Sequence, residues 1–216
     1  MKTIGLIGGM SWESTSEYYR ILNEEIKSRL GGLHSAKCLI NSVDFEEIER
    51  FQSNGDWDGA DFIIICTNTM HKVVEKIKEN INIPVLHIAD TTAKEIKRKG
   101  IQTIGLLGTK YTMEQDFYKS RIEENNIKVI VPVEKNREKL NEIIYTELCL
   151  GKITSQSREY YKRVIEELVQ KGAQGIILGC TEIGLLIKQE DVLVPIFDTT
   201  FIHAMEAVNV ALENRL

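Results

Sequence analysis

Two stretches of the chain end in the same unusual way. "ADFIIICTNTMH" (60–71) and "AQGIILGCTEIG" (173–184) are apolar runs that stop at a cysteine followed by a short polar turn. A thiol in such a turn can act as a base or nucleophile, because turn amides favour its thiolate. Thr67, Asn68 and Thr69 in the first turn, with Thr181 and Glu182 in the second, are residue types that hold carboxylate or ammonium groups. Cys180 follows Gly179 and opens its turn, so it is the strongest nucleophile candidate. Cys66 lies one residue earlier in its turn and either reaches the polar cluster or points into the core. Cys38 and Cys149 sit in apolar segments and read as small core hydrophobes.

Two further endings belong with these. "GGMSWES" (8–14) carries Met10 and Ser11, and "GTKYTM" (108–113) carries Thr109 and Thr112. Each is suited to carboxylate binding, but the default for any one of them is an ordinary helix cap, since Ser and Thr lead N-cap preferences. In an open parallel sheet, ligands bind beyond the carboxyl ends of the strands, which is where all four endings must lie.

The elements that would position them repeat in order. "TIGLIGG" (3–9) answers "TIGLLGT" (103–109), the two cysteine runs answer each other, and "IPVLHIAD" (83–90) answers "VPIFDTT" (194–200). Short Ile/Leu/Val runs suit strands buried on both faces of a parallel sheet. Charge-rich amphipathic segments at 14–30, 112–126 and 158–172 predict helices, the first two opening with capping-box spacings Ser14–Glu17 and Thr112–Gln115. The alternation predicts an α/β protein of two pseudo-symmetric, doubly wound domains with short, mainly parallel sheets. The expected domains are 1–100, joined by a C-terminal helix at 200–216, and 101–199.

The halves differ in length. Ile4 and Cys66 are 62 positions apart, but Ile104 and Cys180 are 76 apart. Only "EEIERFQSNGDWDG" (46–59) separates a strand at 36–45 from the next, which is tight for a parallel crossover. Either the crossover is degenerate or a helix is absent from this sequence, and the second is the expectation.

Composition narrows the partners. With 43% hydrophobic and 27% charged residues over 216 positions, the chain can bury a core. A net charge of -5 with dispersed basic residues gives no footprint for nucleic acid or an anionic membrane. No apolar run approaches the ~20 residues of a membrane span. The N-terminal run is too short for a signal peptide. The four cysteines show neither CxxC pairing nor metal-ligand spacing, so free thiols, no metal and a cytoplasmic setting are expected. "GLIGG" lacks the GxGxxG spacing of a dinucleotide site.

Taken together, "TNTMH", "GCTE", "GGMSWEST" and "LLGTKYTMEQDFY" resemble the aspartate/glutamate racemases over essentially the whole chain, apart from the region near 56–60. The resemblance implies a cofactor-independent enzyme, a homodimer, and a site in the cleft between two α/β domains. It implies two thiols flanking the substrate α-carbon, one removing the proton and the other supplying one to the opposite face. This sequence departs from that pattern. The position before "NT" is Thr67, not a cysteine, and adjacent strand residues face opposite ways, so Cys66 cannot simply stand in. It is therefore similar to the subgroup with a Thr/Cys pair that acts on L-aspartate and L-glutamate. That implies proton abstraction by Cys180 and return of a proton by Thr67 or water. Enantiomers have equal free energies, so any preference for the L-form is kinetic.

The resemblance also implies other roles. Asn68, Thr69, Thr181 and turn amides would hold the α-carboxylate, with Met10, Ser11, Thr109 and Thr112 lining the site. Gln52 would recognise the side chain and Glu182 the ammonium, unless Glu182 is merely an exposed cap. Apart from the resemblance, a dicarboxylic substrate needs a cation for its distal carboxylate, and Lys152 and Arg158 are candidates by position in the second domain, although surface positions are the default for such residues. His71 is either a general acid or a capping and packing residue. Two rival readings remain: a single-cysteine decarboxylase of a malonate-type acid, and an amino-acid-binding protein that lost one catalytic thiol.

Overall fold

A computed structural model of the chain describes residues 1–9, 12–31, 34–42 and 61–212. In chain order it contains β1 (Ile4–Gly8), α1 (Trp12–Leu30), β2 (Cys38–Ser42), β3 (Phe62–Ile65), α2 (Val74–Lys78), β4 (Val85–Leu86) and α3 (Ile88–Arg98). There follow β5 (Thr103–Gly108), α4 (Lys110–Glu114), α5 (Asp116–Glu123), β6 (Lys128–Ile130), α6 (Glu134–Thr146) and α7 (Ser155–Gln170). The described chain closes with β7 (Ile176–Gly179), α8 (Ile183–Leu186), β8 (Ile196–Asp198) and α9 (Thr199–Leu212).

Two compact units result, Met1–Thr91 with Thr200–Leu216, and Thr92–Thr199. Each is built on a four-stranded sheet, in the orders β2-β1-β3-β4 and β6-β5-β7-β8, and every pairing is parallel. The two sheets thus have one topology, as the repeated segments require. Their central strands are apolar because both faces are covered: all of Phe62–Ile65 and all of Ile176–Gly179 are buried. Complete burial of such a side chain contributes roughly 1.5–3 kcal/mol, so these runs dominate each core. In the first unit Ile4, Leu6, Tyr18, Leu22 and Phe62 pack with Ala204, Ala207 and Val208 of α9. In the second, Leu107, Tyr161, Val164, Ile176 and Leu178 form the corresponding core with α6 and α7.

Several local expectations change. The helix anticipated over 112–126 is split at Gln115, whose extended backbone (φ −87, ψ 152) separates α4 from α5. Neither expected capping box forms. Thr109, not Thr112, is the N-cap of α4 and accepts from the Thr112 amide. Ser14 lies within α1 rather than at its start, and its hydroxyl donates to the Cys66 carbonyl at 2.7 Å. β6 and α6 were not anticipated; α6 and α7 together fill the connection from β6 to β7. The matching connection in the first half, 43–60, lies outside the described residues, and with it the expectation of an absent helix. Among the described residues no helix is long and apolar enough to cross a membrane.

Candidate active site

The register of the two sheets decides which residues are equivalent. β1 pairs Gly5 with Ile63 and Ile7 with Ile65, while β5 pairs Gly105 with Ile176 and Leu107 with Leu178. Continuing one and two residues, Cys66 matches Gly179, and Thr67 matches Cys180. The position holding a thiol in the second unit therefore holds a hydroxyl in the first. Cys66 is 2% exposed and packs into the core with Ile4 and Tyr18, where burial drives its thiol far above the usual range. Cys38, on the edge strand, is raised to about 11 by burial.

Strand β3 stops at Ile65, and the chain turns sharply: the Thr67 amide donates to the Ile65 carbonyl at 2.8 Å. Thr67 is half-buried, Asn68 is buried, and Thr69 begins a short 3-10 turn, Thr69–Val73. At the neighbouring end of β1, helix α1 packs close only because Gly8 has no side chain; a Cβ there would lie 2.3 Å from Thr15 Oγ1. Met10, Ser11 and Gln52 lie outside the described residues.

The tight turn in the second unit follows the same plan. A Cβ on Gly179 would lie 2.7 Å from the Leu107 carbonyl oxygen, so only glycine brings the strand end this near β5. Cys180 is half-buried, and its Sγ donates to Glu182 Oε2 at 2.9 Å. The amide of Ile183 donates back to the Cys180 carbonyl at 3.1 Å. Thr181 is half-buried and Glu182 buried, so Glu182 is not the exposed cap considered from sequence.

The expected thiolate is not the resting form. The Glu182 amide favours ionisation, as a turn amide should, but burial and then the Glu182 carboxylate outweigh it and hold the thiol well above its ordinary range. Cys180 rests as a thiol hydrogen-bonded to a carboxylate. Replacing Glu182 by Gln removes that negative charge and should lower the thiol's pKa. Iodoacetamide alkylation of Cys180, mapped by mass spectrometry across pH, should then show its midpoint at lower pH than in the wild type. An unchanged or higher midpoint contradicts the assignment.

Other expected residues fall into two groups. Thr109 and Thr112 adjoin this turn: Thr112 Cγ2 is 3.2 Å from the Cβ position of Gly179, and the two threonine hydroxyls are 3.2 Å apart. Lys152 and Arg158 are not drawn in. Lys152 is exposed just past Gly151, and among the described residues no contact joins its ammonium to Cys180 or Glu182. Arg158 faces Asp191 at 3.9 Å.

Sequence reasoning missed a tyrosine. Burial first, then Cys180, raises the Tyr145 phenol, with Cys149, Tyr111 and Glu182 acting in the same direction, which sets Tyr145 in the electrostatic neighbourhood of the thiol. It is about half exposed, at 50%. Tyr145 stands in the last turn of α6, so its signal was lost with that helix.

Comparison with known proteins gives a consistent result. The model of the family described as Asp/Glu/Hydantoin racemase matches residues 7–207. A broad specificity amino-acid racemase, RacX of Bacillus subtilis (strain 168), is 24% identical over 95% of this chain and 96% of its own. A crystal structure of a candidate Asp/Glu racemase from Yersinia pestis is similar at TM-score 0.90 and 54% identity, covering 98% of this chain and 100% of that one. PH1733, an aspartate racemase homologue from Pyrococcus horikoshii OT3, is similar at TM-score 0.85 and 35% identity, covering 98% and 99%.

Proposed function

Because the chain belongs to the Asp/Glu/Hydantoin racemase family, we propose that it racemises L-aspartate or L-glutamate without pyridoxal phosphate or metal, using Cys180 and Thr67. The observation that carries this reading is the register equivalence of the two residues, one at the same strand end in each unit. Cys180, once ionised, takes the α-proton of the L-substrate, and the Cα–H electron pair remains on the substrate as an enediolate-like carbanion. A proton delivered from the Thr67 side then completes inversion. A hydroxyl is a far weaker acid than a thiol, so water ordered by Thr67 shares this step.

The free enzyme's thiol must first lose its proton. Glu182, 2.9 Å from Sγ, is assigned to the substrate ammonium, whose positive charge offsets the carboxylate and favours the thiolate, so that the thiol proton leaves to solvent as substrate binds. Asn68, Thr69, Thr181 and the turn amides serve the α-carboxylate, whose charge grows in the transition state. Thr109 and Thr112 support the Cys180 turn. Gln52 is assigned to the substrate side chain on the resemblance, and Met10 and Ser11 to substrate contact and Lys152 to the distal carboxylate on their positions in the sequence alone. The reading includes a homodimer acting in the cytoplasm on small acidic amino acids. Proton NMR of L-aspartate and L-glutamate in D₂O tests it. Loss of the α-proton signal supports it, whereas tight binding without exchange, or CO₂ release from a substituted malonate, favours one of the rivals.

A further inference from the structure

His71 does more than fill space beside Thr67. Its ring is 3% exposed and makes two directional bonds to the backbone. Nδ1 lies 2.8 Å from the Thr67 carbonyl oxygen, and Nε2 lies 3.2 Å from the Ile88 amide nitrogen. A backbone N–H can only donate and a carbonyl can only accept, so one neutral tautomer satisfies both: Nδ1 carries the hydrogen and Nε2 accepts. The surroundings hold the ring neutral. Burial, then the adjacent rings of His87 and His203 at 4.4 and 5.8 Å, keep its pKa well below the imidazole range. A ring so held is no general acid near neutral pH.

The bridge has a clear mechanical consequence. Thr67 lies beyond the β3 ladder, so its carbonyl has no partner strand to fix it. The imidazole ties that carbonyl to the first residue of α3, whose amide is one of the donors a helix start leaves unsatisfied. Continuing the register from Thr67 and Cys180, the position equivalent to His71 in the second unit is Gly184. The same sheet therefore forms without a ring at that place. The ring occurs only in the unit whose strand end carries the weaker acid.

We propose that His71 is a positioning residue for Thr67: its Nδ1–H fixes the Thr67 peptide and thereby the aim of the hydroxyl during inversion. This rests on the reading of Thr67 given above. Two variants separate the ring's two bonds. His71→Asn keeps a donor near the Nδ1 place, and His71→Gln keeps an acceptor near the Nε2 place. In D₂O, L-aspartate can become deuterated L-aspartate, by exchange at Cys180 alone, or deuterated D-aspartate, by inversion. In His71→Gln inversion should fall about tenfold to a hundredfold relative to exchange with retention, the scale of a misplaced reacting group. In His71→Asn, inversion should stay close to wild type. Melting curves confirm that both variants are folded.

If exchange and inversion fall together in His71→Gln, or the two variants behave alike, the positioning role is overturned while the racemase reading stands. If the wild type exchanges neither L-aspartate nor L-glutamate, or Cys180→Ala exchanges as fast as the wild type, the reading itself fails and the inference with it.

Discussion

Replacing Cys180 by alanine should lower racemisation of L-aspartate or L-glutamate by about a thousandfold, within the range for loss of a general acid–base group. Exchange of the L-substrate α-proton with solvent should fall equally, because the same atom performs both. The variant keeps the fold: the side chain is small and half-buried, and Gly179 and the Ile183 amide set the turn without it. Binding should change little, since the groups assigned to the carboxylates and ammonium remain. A variant that still exchanges the α-proton at the wild-type rate shows that another residue is the base. Alanine at Cys66 is the matched control, because that thiol is buried in the core and should leave turnover intact apart from lost stability.

Thr67→Ala should give a different pattern. Inversion should fall about a hundredfold, the lower end for a positioned proton donor, while exchange of the L-substrate with retention persists through Cys180. Exchange of the D-substrate should fall with inversion, because its α-proton faces the Thr67 side. The equilibrium constant of a racemase is one, so kcat/KM must stay equal in the two directions in every variant. Any preference for the L-form must appear in kcat and KM separately, both larger on the L side. Equal loss of L-exchange and inversion in Thr67→Ala would remove Thr67 from the second face.

Much of this was legible from residue order alone. The repeats at 3–9 and 103–109, and at 60–69 and 173–182, gave two parallel sheets of one topology, because buried parallel strands have to be continuous apolar runs. The same alignment set Thr67 opposite Cys180. What was illegible depends on three-dimensional neighbours. Ser14 and Thr112 have cap-like spacings, yet Ser14 turns to the Cys66 carbonyl and Thr112 donates its amide to Thr109. The resting thiol of Cys180 was not legible because turn amides can be read from "GCTE", whereas burial of the thiol, and a carboxylate folding back to 2.9 Å, cannot. His71 looked ambiguous until its partners 4 and 17 residues away were known.

The most direct test uses the wild-type protein in D₂O with L-aspartate and L-glutamate separately, following the α-proton by NMR and the enantiomers by chiral chromatography. The account predicts that the α-proton signal of one or both disappears and that the deuterated D-enantiomer accumulates towards an equal mixture. An α-proton signal that persists, with no D-enantiomer formed from either amino acid, would contradict it.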